Sequence, residues 1–241
     1  MKDIKEFYIL GLPIDTDIGQ CEFIKVKEYP DYFADLQLMS LNKLHIIYKF
    51  HEINKSHEYD ELIKELEKLS LFDIVTQIPE IQSAYYNVFL KVFGNQEVLQ
   101  EINNQNFNYY RKLILEMNCI REEFVNPNPE IQKFIEMSKR VKQQESGLTT
   151  FADIVSSVVG YNGLSYKDIN EMTIYQLYMT FYRIAMIKDY DAAILFKTVQ
   201  EKFKDNIKVE EWCKHINLFE EEKHAIEYSK FQKTTGSIIN E

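Results

Sequence analysis

The chain has 241 residues, enough for one large domain or a main domain with an appendage, and long enough to bury a core without staples. Apolar residues make up 45% and charged residues 27%, while glycine is scarce at seven, a balance that argues for helices over a turn-rich all-β fold. The net charge of −10 opposes a nucleic-acid-binding role, which needs a basic face.

The first thirty residues differ from the rest. Phe7-Tyr8-Ile9-Leu10 is a short β-prone run that stops at Gly11 and Pro13. Asp17-Ile18-Gly19 reads as a turn, and residues 21–27 have the β-branched and aromatic content of a second strand. A β-hairpin over roughly residues 6–28 follows. An isolated hairpin is marginal in water, so it must pack on the helices or on a partner.

From Asp31 onward the spacing is helical. Residues 32–50 form helix with a break near Ser40. Leu62, Ile63, Leu66 and Leu69 make an apolar stripe. Pro79 suits the first position of the next helix, where its missing N–H costs nothing, and Gly94 suits its end. Phe107, Tyr110, Leu113, Ile114, Met117, Ile120 and Phe124 stripe one long helix, broken by Asn126-Pro127-Asn128-Pro129. A further helix over residues 130–144 turns Ile131, Phe134, Ile135 and Val141 inward.

Residues 145–149 read as a joint between two bodies. Thr150 with Asp153, Ser165 with Asp168 and Thr173 with Gln176 then mark three helix starts. The last has full capping-box spacing and the other two weaker acidic versions. The third of these helices carries Ile174, Leu177, Phe181 and Ile184 on one face, and a new helix is expected from Asp189. A last helix covers roughly 208–226 with Trp212, Ile216 and Phe219. The fold class is therefore mainly α, a multi-helix bundle with a short N-terminal β-hairpin. Its parts are 1–30 (hairpin segment), 31–145 (first helical body), 150–228 (second helical body) and 229–241 (polar tail expected to fray).

Candidate chemistry fails on spacing. Cys21, Cys119 and Cys213 are odd in number and far apart, which suits a reducing compartment rather than a disulfide framework. No phosphate loop, nucleophile elbow or paired-cysteine zinc signature is present. Cys213 and His215 would diverge by about 200° on a helix, so with His224 they make a poor metal set. Glu221-Glu222-Lys223-His224 contains the Glu-x-x-His spacing of di-iron bundles, but only once and inside a charge run. His45, His51 and His57 recur every six residues and so cannot share a helix face. The basic cluster Lys139, Arg140 and Lys142 is better read as cations near a helix C-terminus. No cofactor or metal is expected, and no catalytic residue can be chosen, so the chain reads as a non-enzyme. Residues 1–6 lack the apolar core of a signal peptide, and no run approaches the ~20 apolar residues of a membrane span.

The feature left over is aromatic. There are 16 Tyr and 16 Phe, and Tyr175, Tyr178 and Tyr182 spread beyond the stripe of their own helix. Tyrosine is enriched at protein interfaces, so these three are the candidate protein-binding residues. Core packing with an amphipathic boundary is the alternative.

Two segments carry a resemblance. Gly11-Leu-Pro-Ile-Asp-Thr-Asp-Ile-Gly19, followed by residues 23–29, is the first. Leu164-Ser-Tyr-Lys-Asp-Ile-Asn-Glu-Met-Thr-Ile-Tyr-Gln-Leu-Tyr178, followed by Phe181-Tyr182-Arg183-Ile184, is the second, and Glu210-Glu211-Trp212 suits the same pattern. Together they resemble tail assembly chaperones of phages and prophages of low-GC Gram-positive bacteria. The resemblance implies a non-enzymatic binder of tape measure and tail tube proteins, working in the host cell cytoplasm and absent from the finished virion. A structural tail or baseplate protein and a phage protein that binds a host defence protein are the alternatives. Homo-oligomerisation stays open, and neither nucleic acid nor membrane is expected as a partner.

Overall fold

A computed structural model describes residues 4–53, 60–122, 125–126, 128, 131–138, 149–199 and 209–218. The chain opens with helix α1 (Ile4–Leu10) and a hairpin of β1 (Ile14–Thr16) and β2 (Gly19–Cys21). The strands are antiparallel, with Ile14 opposite Cys21 and Thr16 opposite Gly19. The N-terminal hairpin is present, but its strands are shorter than expected and lie elsewhere. Phe7–Leu10 is helical, because a four-residue apolar run suits either state and the core decides. A helical turn carries Tyr8 inward and leaves Ile9 and Leu10 outside. Gly11 closes this helix at φ +65: its N–H donates to the Tyr8 carbonyl at 3.2 Å, and the Leu12 N–H to that of Phe7 at 3.0 Å. That reciprocal pair is a Schellman closure, which favours glycine.

Helices α2 (Tyr29–Ser40), α3 (Lys43–Ile53), α4 (Asp60–Leu66), α5 (Leu71–Gln77) and α6 (Pro79–Phe93) follow. Then come α7 (Val98–Glu101), α8 (Phe107–Met117) and α9 (131–138). The chain continues with α10 (Phe151–Asn162), α11 (Tyr166–Glu171) and α12 (Ile174–Val199). The fold is mainly α, as the glycine scarcity implies. Pro79 opens α6 and Gly94 ends it in the left-handed region. Both Asp-based starts, at Thr150 and Ser165, form complete capping boxes, and so does Ser70 with Asp73. α6 packs on α2 and α5, with Phe107 of α8 against the rings of Phe72, Tyr85 and Phe89.

Four helix expectations are corrected. α8 stops at Met117, and Cys119 adopts φ +55, so Ile120 reaches the core from a loop. α9 turns Gln132 inward and leaves Ile131 and Phe134 exposed. The Gln132 Oε1 accepts the Asn126 N–H at 2.8 Å, so a backbone donor at the start of the proline-rich break dictates the face. α12 runs through Asp189 unbroken, since no Gly or Pro interrupts it. Residues 209–218 are turns and coil, with the carbonyls of Trp212 and Lys214 taken by Arg183 instead of by helical N–H groups. The joint at 145–149 lies almost wholly, and the polar tail wholly, outside the described residues.

Residues 22–27 tie distant elements together. The Glu22 N–H donates to Val92 of α6 at 2.8 Å. Lys25 forms an antiparallel bridge with Thr173. Around it, the Val26 N–H donates to Met172 at 2.9 Å and the Ile174 N–H to Ile24 at 3.3 Å. Phe23, Ile24 and Val26 are buried. Lys25 and Lys27 fork onto the two oxygens of Glu171, at 2.8 and 2.6 Å. Those two hydrogen bonds hold the Glu171 carboxyl down at about 2. Gly11 sits against the same joint, where an added Cβ would lie 3.1 Å from the Thr173 side chain and 3.2 Å from Gln176.

Arg111, on α8, is fully buried. Its Nε donates to the Met39 carbonyl at 2.9 Å and to the Tyr85 hydroxyl at 2.8 Å. Nη2 donates to the Leu41 carbonyl at 3.2 Å, and Nη1 pairs with Glu122. Met39 and Leu41 close α2, where carbonyls lack helical partners. Burial raises the Tyr85 phenol to about 12 despite the opposing guanidinium. Arg111→Met strands these acceptors, and we expect a loss of about 3 kcal/mol in urea unfolding. Arg111→Lys recovers only part of it, because an ammonium cannot fork to the same acceptors.

Candidate protein-binding groove

Among the described residues, α2, α3 and α12 enclose an open groove of about 1280 Å³. Its walls begin at the joint just described. Tyr29 starts α2 three residues after Val26, and Tyr178 lies one turn into α12 after Thr173. On each wall an aromatic pair at i, i+4 spacing faces the opening, as helix geometry requires. Tyr29 and Phe33 stand on α2 with ring centres 5.5 Å apart, and Tyr178 and Tyr182 on α12 at 6.5 Å. Phe33 is 48% and Tyr182 42% exposed. Tyr29 is buried and Tyr178 half-buried.

The three tyrosines expected at a contact surface therefore part company. Tyr178 and Tyr182 line the groove. Tyr175 is only 8% exposed and packs edge-on against Tyr8 at 5.2 Å, inside the core. Positions i, i+3 and i+7 share one helix face, so the three part company along the axis of α12: Tyr175 stands at its first turn, where Tyr8 packs against it, and Tyr178 and Tyr182 lie further on.

The polar complement is mixed. His45, Lys49, Arg121 and Glu136 contribute to the lining. Arg121 Nε donates to the Leu218 carbonyl at 2.6 Å, which brings residues 209–218 to the edge of the groove. Burial raises the Cys119 thiol and the Tyr29 and Tyr178 phenols above their ordinary values. At neutral pH these groups stay protonated, so the lining offers rings, hydrogen-bond donors and a neutral thiol. Phe33 and Arg121 carry no mark in the sequence reading, and Cys119 enters it only as one of three widely spaced cysteines. The Tyr29/Phe33 spacing is the one signal that could have found Phe33.

Of the remaining candidates that the structure describes, His45 lines the groove, and Cys213 and His215 are not part of its lining. Cys213 is exposed, and His215 Nε2 lies 3.4 Å from Lys5 Nζ. Among the described residues no three His, Cys, Asp or Glu side chains gather as metal ligands. The Glu221–His224 motif, His57, the ring of His51 and the cluster of Lys139, Arg140 and Lys142 lie outside the described residues. No described helix is long and apolar enough to cross a membrane.

The fold and groove define a mainly helical protein whose candidate site is an aromatic surface between two parts of the chain. The chain belongs to the YomV family: the model of the YomV N-terminal domain matches residues 2–127, and that of the YomV second domain residues 141–217. It is 42% identical over 227 residues to a protein of Bacillus subtilis (strain 168) described as "SPbeta prophage-derived uncharacterized protein YomV", covering 94% of each chain. No solved structure matches. The joint of Ile24–Val26 with Met172–Ile174 thus crosses from one family unit to the other, and the groove takes residues from both.

Two substitutions separate core from groove. Tyr175→Ala should cost about 3–5 kcal/mol, as for other buried large rings. Tyr182→Ala should stay within about 0.5 kcal/mol of the parent. Denaturant unfolding of both variants checks this; equal costs would place Tyr182 in the core.

Proposed function

We propose that the chain is a non-enzymatic, phage-derived tail assembly chaperone that holds tape measure and tail tube proteins in the host cytoplasm during tail morphogenesis. The observation that carries this reading is the aromatic groove. Phe33 and Tyr182 are half-exposed rings on facing helices, held by a joint of buried backbone bonds. Solvent-exposed rings on a fixed scaffold suit an amphipathic helical client, whose apolar face needs a groove of this kind. The protonated state of Cys119 and the groove phenols suits binding rather than nucleophilic chemistry.

The family relationship adds a second support. A relative covering nearly the whole chain is described as prophage-derived. The two segments that resemble tail assembly chaperones are also the two that meet at the joint: Gly11 and residues 23–27 on one side, Met172 to Gln176 on the other. The residues that carry the resemblance therefore include those that build the joint beside the groove.

The test is co-expression with a tape measure protein and a tail tube protein from the genome that encodes this chain. We expect co-purification with the tape measure protein, weakened about tenfold or more by Phe33→Ala with Tyr182→Ala, since central aromatic anchors carry about 2 kcal/mol or more. Mass spectrometry of purified virions should lack the chain. Its presence there would replace this reading with that of a structural tail protein. Capture of a host defence protein, with no tail protein bound, would also overturn it.

A further inference from the structure

Residues 209–218 are turns and coil, so their carbonyls lack the donors a helix would supply. Three of those carbonyls go to arginine side chains. Arg183 Nη1 donates to Trp212 and, at 2.9 Å, to Lys214. Arg121 donates to Leu218 through Nη2 and, at 2.6 Å, through Nε. Arg183 follows Tyr182 on the α12 wall, and Arg121 is itself part of the groove lining. Arg183 lies in the second family unit and Arg121 in the first, so the segment is a strap pinned once to each. Trp212, Cys213, Lys214 and His215 stay in solvent. Leu218 turns into the lining and packs half-buried against the core, as does Cys119. The Cys119 thiol lies within electrostatic reach of the Tyr29 and Tyr178 phenols, so it marks the floor of the groove.

The strap is held differently from the walls it adjoins. The walls rest on buried backbone bonds and on the network around Arg111. The bonds from Arg183 and Arg121 to the strap are open to water. There a charge-assisted hydrogen bond shifts an opening equilibrium by only about tenfold to a hundredfold. Local opening draws on such weakly held parts of a fold. The two holds also act together: with the strap fixed at Arg183, Leu218 stays near Arg121 at a high effective concentration. We infer that residues 209–218 are a clasp on the groove. Closed, it keeps Leu218 in the lining and Cys119 covered; released, it uncovers the floor. A client that needs the floor meets only the released fraction of chains, so the clasp sets its apparent affinity. The clasp rests on the groove being a binding site, but its test uses no client, so its failure and that of the proposed function are read separately.

Labelling of the native full-length chain with N-ethylmaleimide, read at each cysteine by peptide mass spectrometry, is the test. Cys213 is exposed and Cys21 fully buried, so they set the fast and slow limits, and Cys119 reports the floor. We expect Cys119 to react at a rate between the two. In low urea its rate should stay flat, the mark of a local opening, while that of Cys21 rises steeply. Arg183→Gln should speed Cys119 about tenfold or more without moving Cys21, and Arg183→Lys should speed it less. A Cys119 rate as high as that of Cys213 would mean a floor open without any clasp and would overturn the inference. So would a Cys119 rate that climbs with urea in step with Cys21, since unfolding of the whole chain would then expose it. An Arg183→Gln chain in which Cys119 is unchanged, or is accelerated only in step with Cys21, would overturn it as well.

Discussion

The structure depends on a short stretch of backbone pairing between residues 24–26 and 172–174. Buried amides that leave water must find partners, and those of Val26 and Ile174 find theirs across the joint, in the other family unit. Ile24 and Val26 are buried on one side, Thr173 and Ile174 on the other, so the unpaired alternative would strand polar backbone in an apolar setting. The fork of Lys25 and Lys27 on Glu171 decorates this joint from solvent, where screening keeps its contribution small. The buried bonds and the apolar side chains beside them do the holding. Because Tyr29 and Tyr178 each follow within a few residues of the paired segments, the same bonds set the two aromatic walls of the groove facing one another.

The other end of the α2 wall is fixed by Arg111. Its guanidinium gathers the carbonyls of Met39 and Leu41 and the hydroxyl of Tyr85, with Glu122 balancing the charge. A buried cation is tolerated only with this degree of hydrogen bonding. The result is a firm turn between α2 and α3, and Ser40 and Leu41 at that turn belong to the groove lining. The groove is therefore held at one end by backbone pairing and at the other by a buried charge network.

Much of the helical skeleton was legible because local chemistry specifies it. Pro79, Gly94, Thr150, Ser165 and Thr173 act through their nearest residues, and each marks a boundary in the structure. What stayed hidden depended on distant partners. Phe7–Leu10 becomes helix because Tyr8 finds Phe23 and Tyr175. Ile131 and Phe134 yield the inner face of α9 to Gln132 because a remote amide needs an acceptor. The continuity of α12 through Asp189 was hidden for a simpler reason: an acidic residue that can cap a helix can also stand on the surface of one. At the candidate site, the spread of Tyr178 and Tyr182 around α12 pointed to the groove. Nothing local could show that Tyr175 would be claimed by Tyr8, or that Arg121 would hold Leu218.

Native-state hydrogen exchange at the Val26 and Ile174 amides tests most directly whether the joint is a fixed part of the fold. These two N–H groups cross the joint in opposite directions, to Met172 and Ile24. If the joint fixes the groove, both exchange slowly, with opening free energies within about 1 kcal/mol of each other and close to that of the Ile114 amide in the core. Rapid exchange at both, with Ile114 still protected, would show the two units parting freely and would contradict the account.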